Sequence, residues 1–293
     1  MIRKINEITG HSAAIYCSLA QGNFIYTGSA DRYVARWLAE EGTQDKFAIR
    51  FTESVYALAT MAEKYLWVGL ANGNLHVFDL EGREEIKFFT QHTTGIFSLH
   101  YDPHCAYLFA ADAAGNVSVW NADLELVIYL PLDCGKIRRM DSSADGRYLA
   151  LGGQDGFLRI FETENFNEIH RIFAHTDGLC SLRFDRAYPE TIYTGGKDAR
   201  LRKWNWKEER CEAAVIAHTF PIYDILLDDH YLVSCSRDKH VKVWNLEDLS
   251  IVKRIDSKEG GHRHSVNSLA WIKPRTFASV SDDKRILIFQ IQD

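Results

Sequence analysis

The chain has 293 residues, of which 46% are hydrophobic and 25% charged, and a formal net charge of -6; this balance favours neither disorder nor a chain built to wrap nucleic-acid phosphates. No apolar run approaches the roughly 18 residues that a spanning helix needs, and residues 1–10 lack the apolar stretch of a secretory signal, so a cytoplasmic protein is expected. Six scattered cysteines, Cys17, Cys105, Cys134, Cys180, Cys211 and Cys235, include no CxxC pair. They read as thiols of a reducing compartment rather than as disulfides or a zinc site.

In chain order, residues 2–8 alternate apolar and polar side chains as a half-buried strand does. A unit then begins that carries His11, Thr27, Asp31 and Trp37. Copies follow as His175, Thr194, Asp198 and Trp204, as His218, Ser234, Asp238 and Trp244, and, with Phe289 as the aromatic, as His262, Ser279 and Asp283. In each of these four copies a hydroxyl stands four residues before the Asp and an aromatic six after it. Aligning the closing aromatics gives Trp37, Phe78, Trp120, Phe161, Trp204, Trp244 and Phe289, at steps of 41, 42, 41, 43, 40 and 45 residues. Seven units therefore fill the chain.

Each unit ends in an alternating strand: residues 33–37, 75–78, 117–120, 158–161, 201–204, 241–244 and 286–289. A turn rich in Asn, Asp and Gly precedes each, as at Asn72 with Gly73 and Asp155 with Gly156, because these residues tolerate the positive φ of tight hairpins. An earlier strand pair is clearest at residues 96–101 and 106–110, and a fourth strand follows the aromatic, as at 168–173. Four short antiparallel strands in about 42 residues, repeated seven times, predict blades set around an axis. The last unit has only three strands, while residues 2–8 precede His11 as 169–173 precede His175. The N-terminal strand is therefore expected to complete the seventh blade and remove the open edge, making residues 1–293 a single domain.

The repeated His, Ser or Thr, Asp and Trp, with this period and turn placement, resembles the WD40-repeat family over the whole chain. The resemblance implies an all-β, seven-bladed β-propeller in which the indole bonds the hydroxyl, the hydroxyl the His and the His the Asp. The departures are specific. The dipeptide that names the family is absent, since the closing aromatic is followed by Leu38, Asp79, Asn121, Glu162, Asn205, Asn245 and Gln290. Unit 2 has Phe51, Val68, Asn72 and Phe78 at the four network positions. Unit 3 keeps His92 and Trp120 but has Ala110 and Ala114 between them, which should leave Trp120 without its usual partner. Unit 4 keeps Asp155 but has Asp133, Leu151 and Phe161. Units 2–4 are accordingly expected to lean on apolar packing.

Ser or Thr with His and Asp resembles a hydrolase triad. A nucleophile, however, must be exposed beside an oxyanion site, whereas these hydroxyls lie in strands and bond an indole and an imidazole. The expectation is a protein that is not an enzyme and holds no cofactor or metal. Gly152 with Gly153 and Gly195 with Gly196 lack the Lys and helix of a phosphate loop. His100 with His104 and His262 with His264 lack a third ligand, and Trp206 and Trp271 read as packing residues.

By the same resemblance, recognition lies on the rim, three and five residues past the His and one before the Asp. The fifth position reads Tyr16, Tyr56, Phe97, Arg138, Cys180, Tyr223 and Asn267. The residue before the Asp reads Ala30, Ala71, Ala113, Gln154, Lys197, Arg237 and Asp282, and Lys136 joins Arg138 in unit 4. Tyr, Phe and Arg are enriched at binding hot spots. The expected function is a scaffold, monomeric by itself, that binds a protein or peptide partner. Arg138, Lys197 and Arg237 would meet an acidic or phosphorylated element, and Tyr16, Tyr56, Phe97 and Tyr223 would supply apolar contact. Single-stranded nucleic acid on the same aromatic and cationic face is the alternative. An enzyme using the central channel is a further one, for which the rim offers Asp282 alone.

Overall fold

The computed structural model describes residues 2–292. Among them are 28 strands and one short 3-10 turn, Ser257–Glu259, and no helix is long and apolar enough to cross a membrane. The strands form seven four-stranded sheets. Every strand pair for which a register is resolved is antiparallel, as in Cys235 opposite Val241 and Ala111 opposite Val117. These are the blades of a seven-bladed β-propeller, and the repeat count read from the closing aromatics is the number of sheets.

Contacts group the chain into two compact bodies, a split one of residues 1–58 with 218–293 and a continuous one of residues 59–217. In the split body Ile2–Thr9 pairs with Arg285–Ile291, from Ile2 opposite Ile291 to Ile8 opposite Ile286, with an irregularity between Lys4 and Asn6. The N-terminal strand is thus the fourth strand of the last blade. Its alternation brings Ile8 onto Ile15, Ile25, Ala278, Val280, Ile286 and Ile288 in one buried cluster. A second cluster gathers Leu226, Val233, Val243, Phe277, Leu287 and Phe289. Asp224, fully buried, accepts the Leu269 N–H at 3.0 Å and so ties the sheet of repeat 6 to that of repeat 7.

In the continuous body one cluster gathers Phe109, Val117, Val119, Met140, Leu149 and Phe161. Another gathers Leu158, Ile160, Leu182, Phe184, Ile192 and Trp204. Asp141 accepts the Phe184 N–H at 2.8 Å, the counterpart of the Asp224 tie. Trp206 is buried and donates its indole N–H to the Pro189 carbonyl at 2.9 Å. Trp271, in the split body, does the same to Leu227 at 2.9 Å.

All seven hairpin turns before the closing strand share one backbone feature. The residue that follows the Asp position has a positive φ: Arg32 (71°), Gly73 (93°), Gly115 (91°), Gly156 (88°), Ala199 (61°), Lys239 (76°) and Lys284 (68°). Where the residue has a side chain, the preceding carboxylate holds the turn by accepting the N–H two residues on, from Tyr33, Arg200, His240 and Arg285. This Asx-type bond offsets the strain of a left-handed residue. Repeats 2–4 place Gly there, and in repeats 2 and 4 the same bond recurs, from Asn74 to Asn72 and from Phe157 to Asp155. At Gly156 a Cβ would also collide with the carbonyl oxygen of His175.

Candidate interaction surface

The turns that carry the rim are held from beneath by buried polar chains. Trp37 Nε1 donates to Thr27 Oγ1 at 2.7 Å, Thr27 meets His11 Nε2 at 2.7 Å, and His11 Nδ1 meets Asp31 at 2.8 Å. The same chain runs Trp204, Thr194, His175, Asp198 at 3.0, 2.8 and 2.8 Å. In repeat 6 it runs Trp244, Ser234, His218, Asp238 at 2.9, 2.8 and 2.9 Å. In repeat 7 His262 joins Ser279 at 2.8 Å and Asp283 at 3.0 Å, and Phe289 supplies no donor.

Donor arithmetic fixes the protons in the chains that end on an indole. The ionised carboxylate only accepts, so Nδ1 carries the proton that faces it; in a neutral ring Nε2 is then the acceptor of the hydroxyl hydrogen, and the hydroxyl oxygen accepts the indole N–H. Burial pulls the His11, His175 and His218 pKa values down, against the opposing pull of their Asp partners, and keeps the rings neutral. Burial would raise the carboxyls of Asp31, Asp198, Asp238 and Asp283. Their hydrogen bonds and the His partner outweigh it and hold all four below the usual carboxylate value. Thr27, Thr194, Ser234 and Ser279 are fully buried, which denies any substrate access to the hydroxyls.

Repeat 3 corrects the expectation that Trp120 lacks a partner. Its indole donates to Ser118 Oγ at 2.8 Å, Ser118 meets His92 Nε2 at 2.8 Å, and His92 Nδ1 meets Asp112 at 2.9 Å. The hydroxyl comes from the aromatic's own strand, two residues before it and so on the same face. Asp112 lies two residues before the usual turn position and takes over the turn by accepting the N–H groups of Ala114 and Asn116, both at 2.9 Å. The Asp112 carboxyl, though burial would raise it, is held at about 2 by His92 and Asn116. The reliance on apolar packing expected for repeats 2–4 thus does not extend to repeat 3. In repeat 4 buried Arg159 replaces the His and forks onto Asp155. Repeat 2 packs aromatics instead, with Trp67 stacked on Phe89 at 5.8 Å and Phe89 on Trp120 at 4.2 Å between ring centroids.

On the rim positions of the continuous body, Lys136, Arg138, Gln154 and Lys197 line one cleft of about 190 Å³, with Leu179 and Cys180 as its apolar wall. Lys136 Nζ stands 3.9 Å above the Phe97 ring and the Arg138 guanidinium 5.4 Å from it, close enough for cation–π attraction. Burial lowers the Lys136 pKa, and the charges of Arg138 and Lys197 lower it further. Neither Lys136 nor Lys197 has a carboxylate partner among the described residues. Burial raises the Cys180 thiol pKa against the three nearby cations, so this wall is an uncharged thiol.

The rim positions of the split body mix tyrosines, an amide, an acid and one cation. Tyr16 and Tyr56 meet edge to face at 5.3 Å. Asn267 donates through Nδ2 to Asp282 at 2.7 Å and to the Ile15 carbonyl at 2.8 Å. Arg237 lies over the ring of Phe220, at 5.7 Å, a residue that the sequence reading passed over. Tyr223 is half-buried in the same body.

A family model described as WD domain, G-beta repeat matches residues 2–37, 83–121, 209–245 and 255–290, half of the chain. The chain belongs to the WD40 family. Its matched segments are repeats 1, 3, 6 and 7, and repeat 3 is the one whose polar chain is rebuilt around Ser118. The WD40 chain is 23% identical to rat WD repeat-containing protein 55 over 275 residues, 90% of this chain and 71% of that protein. It is 24% identical to the Dictyostelium discoideum WD repeat-containing protein 55 homolog over 246 residues, 78% of this chain and 56% of that protein. It is 31% identical to rat apoptotic protease-activating factor 1 over 147 residues, 50% of this chain and 11% of that protein. The chain thus spans about half the length of one of these relatives and about a tenth of another. WD40 propellers generally serve as protein-interaction scaffolds.

Proposed function

We propose that residues 1–293 form one non-enzymatic interaction domain that binds a protein or peptide partner on its rim, and that an acidic or phosphorylated element of the partner seats in the Lys136, Arg138, Lys197 cleft. The carrying observation is convergence of like charge: Lys136 is half-buried, its pKa is pulled down by burial and by two neighbouring cations, and among the described residues no carboxylate answers it or Lys197. An incoming carboxylate or phosphate relieves that repulsion and gains charge-assisted hydrogen bonds in a partly desolvated site. Phe97 beneath Lys136, with Leu179 and Cys180 behind, gives the partner's neighbouring apolar groups a surface to cover. The free cysteines suit a cytoplasmic setting.

The test reverses two charges, Arg138→Glu with Lys197→Glu, in the full chain. Binding of fluorescein-labelled glutamate-rich and phosphoserine peptides is followed by polarisation. The proposal expects the double variant to lose at least about tenfold in affinity with an unchanged melt. Equal binding by variant and parent overturns it, as does a preference for oligouridylate with the steep salt dependence of phosphate-backbone contacts.

A further inference from the structure

The split body carries a second rim feature of the opposite sign, which the acidic-ligand reading does not use. Asp282 is half-buried, and it accepts from the neutral amide of Asn267 at 2.7 Å. Among the described residues no cation pairs with it. The same amide reaches the carbonyl of Ile15 at 2.8 Å, which fixes the carboxylate one donor away from the strand that presents Tyr16. Tyr16 in turn meets Tyr56 at 5.3 Å with the rings inclined at 70°, and both are half-buried. The Tyr16 phenol has its pKa raised by burial, then by Tyr56 and by the Asp282 charge, in keeping with that placement.

The fold does not require a carboxylate here. The hairpin turn is held by the next residue, Asp283, which accepts the Arg285 N–H at 3.2 Å and pairs with His262. The position equivalent to Asp282 is Ala30, Ala71 and Ala113 in repeats 1–3 and Gln154, Lys197 and Arg237 in repeats 4–6, so no other repeat places an acid there. A partly desolvated carboxylate without a cation among the described residues, tied through Asn267 to the strand of Tyr16, whose ring meets Tyr56, offers electrostatic attraction and π faces at once.

We propose that Asp282, Asn267, Tyr16 and Tyr56 form a subsite for a protonated arginine or lysine side chain of a partner. The cation lies against a tyrosine face and donates to the Asp282 carboxylate, while Asn267 holds that carboxylate in place. The site stands independently of the cationic cleft, and failure of either leaves the other intact.

The experiment labels the full chain with fluorotyrosine and assigns the Tyr16 and Tyr56 fluorine resonances from the Tyr16→Phe and Tyr56→Phe variants. The labelled protein is then titrated to millimolar concentration with acetyl-Gly-Arg-Gly-amide, its Lys counterpart, and the neutral citrulline counterpart. Saturable shifts of both resonances are expected with the Arg or the Lys peptide, and which of the two binds more tightly separates the two sources. The citrulline peptide should leave them unmoved, and Asp282→Asn should weaken binding about tenfold. Tyr16→Phe, which keeps a π face, should retain most of the affinity that Tyr16→Leu loses. Equal shifts with citrulline, or undiminished binding by a folded Asp282→Asn protein, overturn the proposal. Should Asp282→Asn not fold, the comparison of arginine with citrulline on the parent protein decides alone.

Discussion

The split and continuous bodies are built from the same strand pattern but hold their turns differently. In the split body, repeats 1, 6 and 7 all use a His bonded to a hydroxyl and an Asp, with non-glycine residues at the left-handed turn position. The continuous body has four solutions in four repeats: packed aromatics, a chain rebuilt on Ser118 and Asp112, a buried Arg159 fork, and one standard chain. Three of those four repeats place Gly at the turn. Strand alternation and hairpin geometry therefore make the blade, and the polar chain is one of several ways to pin its turn. On the rim positions the continuous body places Lys136, Arg138 and Lys197 in one cleft, while the split body places Tyr16, Tyr56 and Asp282 beside a single cation, Arg237.

Removing residues 2–9 should have the largest effect on this contrast. It strips the strand paired with Arg285–Ile291 and uncovers Ile286 and Ile288, so the melting temperature should fall by on the order of 10 °C or more. An unchanged melt in calorimetry would mean that the split body does not depend on that strand.

Turn glycines come next. Gly156→Ala puts a methyl against the His175 carbonyl at φ 88° and should cost about 3 kcal/mol or more in denaturant titrations. Lys239→Gly, at the equivalent turn of repeat 6, should change stability by no more than about 1 kcal/mol, because Gly relieves a left-handed residue while loosening the unfolded chain. Similar losses at both sites would erase the distinction between the two kinds of turn.

The rebuilt chain of repeat 3 and the standard chain of repeat 6 can then be compared directly. Ser118→Ala leaves the Trp120 indole and His92 Nε2 unpaired, and Asp238→Ala leaves His218 Nδ1 unpaired. Each should cost about 1 to 3 kcal/mol as a buried unsatisfied group. A neutral Ser118→Ala beside a costly Asp238→Ala would mean that Ser118 is a bystander.

Acid titration should give the smallest effect near neutrality. The folded pKa values of His11, His175 and His218 lie below the ordinary value of 6.5, so the folded state binds fewer protons than the unfolded one. Their contribution is complete above about pH 6.5 and declines as pH falls below it. The lowered carboxyls add a second decline below about pH 4, which for Asp112 continues to about 2. Melting temperature measured from pH 7 to pH 5 should therefore fall gently, then steeply in stronger acid. A rise over the first interval would mean that these imidazoles are charged in the fold.

The seven aromatics and the turn residues made the blade count, the strand order and the completing N-terminal strand readable, because period-two alternation and turn chemistry are properties of neighbouring residues. The repeat 3 chain was not readable from the template. Its hydroxyl is 26 residues past the His, whereas in repeats 1, 5, 6 and 7 the spacing is 16 to 19. The signal available was a Ser two residues before Trp120, a same-face spacing common to any strand. Arg159 was equally hidden, since a buried Arg four residues past an Asp looks like any solvated strand residue until the sheet covers it.

The sequence by itself determined the seven repeats and their strands, since both follow from chain-local period and turn preference. Tertiary structure alone decided that Lys136, Arg138 and Lys197 share one cleft and that Asn267 ties Asp282 to the strand bearing Tyr16. Those contacts join residues from different repeats, and strand register together with the packing of one sheet on the next, which no local pattern encodes, sets the distance between them.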